Sequence, residues 1–225
     1  MNRIFTFIIG ACFACGLTGA SIASAQTFEG VINTLTTVNG QKSESVIYIK
    51  GDQVRTELNM TGRSMISIVD NVAKKVSTLM PAQKMCMVMS IPDVKPMQPD
   101  PAAKPVKTGK SETILGYTCD EWVSTNPKTK LTTDMWLAKG PGAPMMGMNN
   151  PMDRYMGQAS EGFEPMMKDG TYPLRTIVKD AAGKETLRME VTKIEKKAVD
   201  PSLFVVPADY KVMNMPAHMG QMNDR

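Results

Sequence analysis

The sequence predicts a mainly β domain: a large, curved antiparallel sheet with one short helical insertion between strands. Three observations carry this expectation. From Phe28 onward, apolar and polar residues alternate with the two-residue period of strands. The runs are joined by short connections rich in turn residues, which suit antiparallel neighbours, whereas parallel neighbours need crossovers of a dozen or more residues. Asn150, Pro151 and Asp153 then form a helix-start signature, with Asn at the cap, Pro in the first turn and an acid at the third position.

The N-terminus precedes any strand. It carries Arg3, an apolar run from Ile4, and the small-x-small triplet Ala23-Ser24-Ala25, and so predicts an export signal over residues 1–25. Cleavage after Ala25 would leave 200 of the 225 residues, lower the formal charge from +4 to +3 by removing Arg3, and leave no transmembrane segment in the mature chain. Such a chain would be periplasmic or secreted. A rival reading takes "IGAC" (9–12) as a lipoprotein box with Cys12 acylated, but the apolar segment ending at Ala11 is short for it.

The mature length suits a single domain over 26–212. "FEGVINTLTTVNG" ends in the hairpin signal Asn39-Gly40, and Gly51-Asp52 separates "SESVIYIK" from "QVRTELNM". "SMISIVDNVAKKVSTLM" and "KMCMVMSI" continue the theme, with corners at Asp70-Asn71 and Pro81-Ala82-Gln83. Six strands in sequence predict a meander. Residues 92–110, with five prolines and no apolar period, read as an extended loop. Strands resume in "SETILGYTCDEWVSTN" and "TKLTTDMWLAKG", joined at Pro127-Lys128, and stop at Gly140-Pro141-Gly142. A methionine-rich helical insertion is expected over 143–168, followed by two strands around Asp180–Gly183 and the closing "VDPSLFVVPADYKV". Residues 213–225 read as a flexible Met/His tail.

Composition excludes several roles. Lysines are scattered and never interleaved with aromatics, so neither a phosphate-tracking stripe nor a stacking platform for nucleic acid is present. A single histidine, His218, is poor material for a Ser-His-Asp arrangement or a His-rich zinc centre. Asp120 and Glu121 are adjacent, and neighbours on a strand point to opposite faces, so they make no acid/base pair. No catalytic residues are assigned and no enzyme is expected. Of the four cysteines, Cys86 and Cys119 lie beyond the leader, and in an oxidising compartment they would pair as a disulfide.

The phrases "KGDQVRTEL", "MISIVD", "KMCMVM", "ETILGYTCDEW", "MWLA" and "VDPSLFVVPADYKV" resemble a secreted bacterial family, domain of unknown function 4412, over roughly residues 28–215. That family is similar to the LolA- and LolB-like periplasmic lipoprotein carriers. The resemblance implies a LolA-like half-barrel, an incomplete cylinder of antiparallel strands whose concave face is covered by helical segments. In the carriers the enclosed space accepts acyl chains. "APMMGMNNPMDRYM" and "GFEPMMKDG" fall where covering helices would be expected. The resemblance also implies a sheet arginine holding the cover; Arg55 and Arg175 are strand arginines, and the sequence singles out neither.

The expected cleft comprises Met85, Met87 and Met89 on one strand face, opposite Met145, Met148, Met152, Tyr155, Met156 and Met166 of the insertion. Unbranched, polarizable thioethers fill irregular cores, and they also repack around varied hydrophobic ligands. The function expected is therefore an exported, non-enzymatic binding protein for a hydrophobic small molecule, a lipid or a lipoprotein in the bacterial envelope, with no cofactor. One alternative is a copper(I) chaperone or buffer, with the metal held by Met213, Met215, His218, Met219 and Met222. Another is a structural envelope protein without a ligand.

Overall fold

The computed structural model describes residues 28–60, 63–91, 104–140, 163, 166 and 171–215. They form one open, curved sheet of twelve strands. In chain order these are β1 (Gly30–Val38), β2 (Gln41–Lys50), β3 (Gln53–Met60), β4 (Arg63–Asp70), β5 (Lys75–Met80), β6 (Met85–Ser90), β7 (Val106–Ile114), β8 (Tyr117–Thr125), β9 (Thr132–Lys139), β10 (Thr171–Lys179), β11 (Glu185–Lys196) and β12 (Lys211–Met215). Across the sheet they run β12-β6-β5-β4-β3-β2-β1-β11-β10-β9-β8-β7.

The expected meander forms as β1 to β6, and its turns follow their chemistry. Asn39 and Gly40 take φ of 48° and 83°, the left-handed pair that a two-residue hairpin requires. Asp70 accepts from the Ala73 amide at 2.7 Å, closing the β4–β5 turn. Gly30 answers a different demand. A Cβ there would lie 2.2 Å from the Glu195 carbonyl oxygen and 2.9 Å from the Phe28 ring, so the close approach of β11 and Phe28 needs a glycine.

β12 was not anticipated from the sequence. After β11, in the middle of the sheet, the chain crosses to the far edge and joins β6 in parallel, pairing Met213 with Met87 and Met215 with Met89. The crossing segment, residues 197–210, forms a strap. Its Val199, Leu203, Phe204, Val206 and Tyr210 pack with Val31, Tyr48, Ile68, Leu79 and Cys86 from the strands beneath. Polar contacts pin the strap along its length. Glu29 accepts from the Val199 amide at 2.8 Å, Arg55 Nη1 donates to the Leu203 carbonyl at 2.7 Å, and Lys84 pairs with Asp209 at 2.8 Å.

Several expectations are corrected. Cys86 and Cys119 are free thiols, both buried. β6 is second from one edge of the sheet and β8 second from the other, and each cysteine packs in a separate core cluster, so the disulfide has no geometry to form. A helical insertion covering the concave face is not supported. Met166 is the one described residue in α-helical conformation, and the described helices are single 3₁₀ turns at Pro81–Gln83 and Pro201–Phe204. The expected 92–110 loop is shorter than predicted, because Val106 already begins β7. The expected 213–225 tail loses its first residues to β12, whose backbone bonds to β6 stabilise what composition alone marked as loose.

Candidate ligand-binding face

Residues paired directly across a ladder share a face, so the register assigns each side chain to one side of the sheet. One row runs Ile32, Ile47, Thr56, Ser67, Thr78, Met87, Met213 from β1 to β12. The next runs Ile49, Val54, Val69, Val76, Met89, Met215. Met80, paired with Met85, lies on the same side. Met85, Met87 and Met89 therefore share a face, as their alternation predicts, and Met213 and Met215 join them. All five are half-buried, whereas Ile47, Ile49, Val54 and Val76 farther in are buried.

A second thioether-rich patch lies on this face near the opposite edge. From β1 the register passes Thr36, Met189, Thr176, Met135 and Trp122. Met135 and Leu137 pack with Phe163, and Trp122 and Met166 lie against them. Phe163 is fully buried, packed at the β8–β9 end of the sheet. Beside it, a hollow of about 400 Å³ is lined by Tyr117, Asp120, Leu137 and Lys139.

Two of these three rows carry a buried hydroxyl without a partner: Ser67 Oγ, two strands from Met87, and Thr176 Oγ1, between Met189 and Met135. A buried polar atom left unpaired costs roughly 1–3 kcal/mol. Nothing in the two-residue pattern distinguishes such a hydroxyl from the paired Thr34 and Ser45, whose oxygens are 2.5 Å apart.

The expected cleft is thus divided. Met85, Met87 and Met89 sit at the β6 end and Met166 at the β9 end, while Met145, Met148, Met152, Tyr155 and Met156 lie outside the described residues. Of the expected copper ligands, Met213 and Met215 are in β12, and His218, Met219 and Met222 lie outside the described residues. Sequence reasoning missed Met80, Met135, Phe163, Ser67 and Thr176. Met80 stands one residue before the Pro81 turn, where strand alternation could have found it.

The arginines are structural on this geometry. Arg55 is on the strap side and clamps it, with Glu57 at 2.8 Å from its Nε. Arg175 lies over Trp136, 5.8 Å from the ring centroid, between Glu112 at 2.7 Å and Glu190 at 2.8 Å. Its pKa is raised, chiefly because it donates to Glu112, so the guanidinium is committed to these carboxylates. Burial pushes both thiols up, which disfavours the nucleophilic and metal-binding thiolate. Among the described residues no group of three or more His, Cys, Asp or Glu could hold a metal ion, and no helix is long and apolar enough to cross a membrane.

Comparison with known proteins bears on the fold. A family model described as "Domain of unknown function (DUF4412)" matches residues 28–210. A comparison with curated protein sequences finds no match. The chain is similar in structure to an uncharacterized conserved protein from Thermus thermophilus, at TM-score 0.56 and 11% identity, covering 85% of this chain and 93% of that one. It is similar to a chain of the Pseudomonas aeruginosa MucA/MucB complex, at TM-score 0.51 and 13% identity, covering 85% of this chain and 60% of that one. A lipoprotein-sorting protein domain from Vibrio parahaemolyticus also matches, at TM-score 0.30 and 8% identity over 78% of this chain and 87% of that one, too distant to support an argument.

Proposed function

We propose, on the premise that this chain belongs to the DUF4412 family, that it is an exported, non-enzymatic binding protein of the bacterial envelope whose ligand is hydrophobic: an acyl chain, a lipid or a lipoprotein. The observation carrying this reading is the face described above. Half-buried Met80, Met85, Met87, Met89, Met213 and Met215 rim one end of this face, beside a core in which Ile32, Ile47, Val54 and Val76 are buried with Tyr172 and Leu174, and the Ser67 and Thr176 hydroxyls are buried without a partner. Such a surface adapts to chains of varied shape, and a few polar groups would orient a headgroup or carbonyl. The leader over 1–25 would deliver the protein to the periplasm. A similar fold is solved in the MucA/MucB complex, which fits a role in which such a sheet engages another protein.

Native mass spectrometry of the protein purified gently from its own compartment tests this. The expected result is a retained species that organic solvent releases as an acyl-containing molecule. An unliganded mass, together with no displacement of a fluorescent fatty acid, would remove the reading and leave a structural envelope role.

A further inference from the structure

We infer that the edge formed by β6 and β12 is a soft-metal site, with the thioethers of Met87, Met89, Met213 and Met215 binding one copper(I) ion. The carrying observation is their register: Met87 opposite Met213, Met89 opposite Met215, all on one face and all half-buried. Paired residues lie about 4.8 Å apart across strands, and residues two apart on a strand lie roughly 6.7 Å apart. Four sulfurs on flexible, unbranched side chains can converge from such a rectangle onto one ion.

The surroundings narrow the ion. The flanking β5 residues on this face are Thr78 and Val76, so no carboxylate of the neighbouring strand joins the set among the described residues, and Cys86 is turned to the strap side, where it packs with Leu79 and Phe204. A purely neutral thioether set is a poor host for magnesium, calcium or zinc and a good one for copper(I) or silver(I). Lys211, opposite Met85, places a cation at the other end of the row, which assigns the ion to the Met87–Met89 end. Met213 and Met215 lie far from Met87 and Met89 in the chain, and only the parallel pairing of β12 assembles the four.

Thioethers do not take up protons in the physiological range, whereas imidazole does so near pH 6.5. Binding at this site is therefore independent of pH between about 5 and 8, a property that a site built on His218 would lack. The test adds silver(I), or copper(I) under anaerobic reducing conditions, to the full chain and follows uptake by native mass spectrometry and competition with a chromogenic chelator. One equivalent should bind with unchanged affinity over that range. A Met87→Leu/Met89→Leu/Met213→Leu/Met215→Leu variant, near in volume and still apolar, should lose at least 100-fold, and His218→Ala should retain wild-type affinity. Should the quadruple variant not fold, Met87→Leu/Met213→Leu serves, with a loss of at least tenfold. No uptake by the wild type, retained affinity in the leucine variants, or loss on acidification or in His218→Ala would each overturn the proposal. Ion uptake and acyl-chain retention are measured separately on the wild-type protein, so failure of the one leaves the other reading standing.

Discussion

The two faces of the β1–β6 meander differ in how completely they are committed. On the strap side, Leu79 and Cys86 are fully buried and the covering segment is pinned at Glu29, Arg55 and Lys84. On the other side the packing relaxes towards the edge, from buried Ile49 and Val54 to half-buried Met87 and Met213, and Ser67 keeps an unpaired hydroxyl. Both faces are apolar along the same strands. The difference shows that alternation produces a two-sided sheet with core on both sides, and that the crossing of 197–210 extends the core out to the β5–β6 edge on one side only.

Substitutions can break or sharpen that contrast. The largest effect should come from Phe204→Ala, which empties a buried strap position and should cost about 3–5 kcal/mol in urea unfolding. Arg55→Met should follow at about 1.5–3 kcal/mol, because it leaves the Leu203 carbonyl without its charged donor. Thr176→Val removes an unpaired buried hydroxyl and should be neutral or stabilising by up to about 2 kcal/mol; a clear loss would mean that the hydroxyl has a partner in solution. Met87→Leu should cost less than about 1.5 kcal/mol, far below Phe204→Ala. Reductant should not move the unfolding midpoint at all, since Cys86 and Cys119 are free.

Acid should act on the strap side through its pins. Lys50 donates to Glu29, and so does the Val199 amide, which holds the carboxyl below its usual 4.5. Lys84 likewise lowers Asp209 below 3.8. A carboxylate whose folded pKa is depressed contributes its stabilisation fully above the ordinary value and loses it as pH falls through the folded one. Hydrogen-exchange protection of Val199, corrected for intrinsic rates, should therefore be constant above about pH 5 and fall towards pH 3. Protection at Val69, on the other face, should hold longer.

Much of this sheet was legible in the chain because its signals are local. Alternation marked β1 to β6, Asn39-Gly40 and Gly51-Asp52 marked their turns, and Met85, Met87 and Met89 followed from a period of two. Gly109, with φ of 84°, falls where the β7–β8 register shifts between Lys107 and Ser111, and the proline-rich stretch before it obscured the start of β7. The candidate site was legible only in halves. Its β6 methionines were readable, but the tail methionines were assigned to a separate, flexible site.

The sequence by itself determined the strand period, the hairpin corners, the wealth of methionine and the poverty of histidine, because each depends on neighbours a few residues apart. The tertiary structure alone decided that β12 closes on β6 in parallel, that Cys86 and Cys119 lie near opposite edges, and that Arg55 holds the strap. Those outcomes depend on which surfaces meet after the chain has crossed the sheet, and side-chain patterning within a strand carries no record of its distant partner.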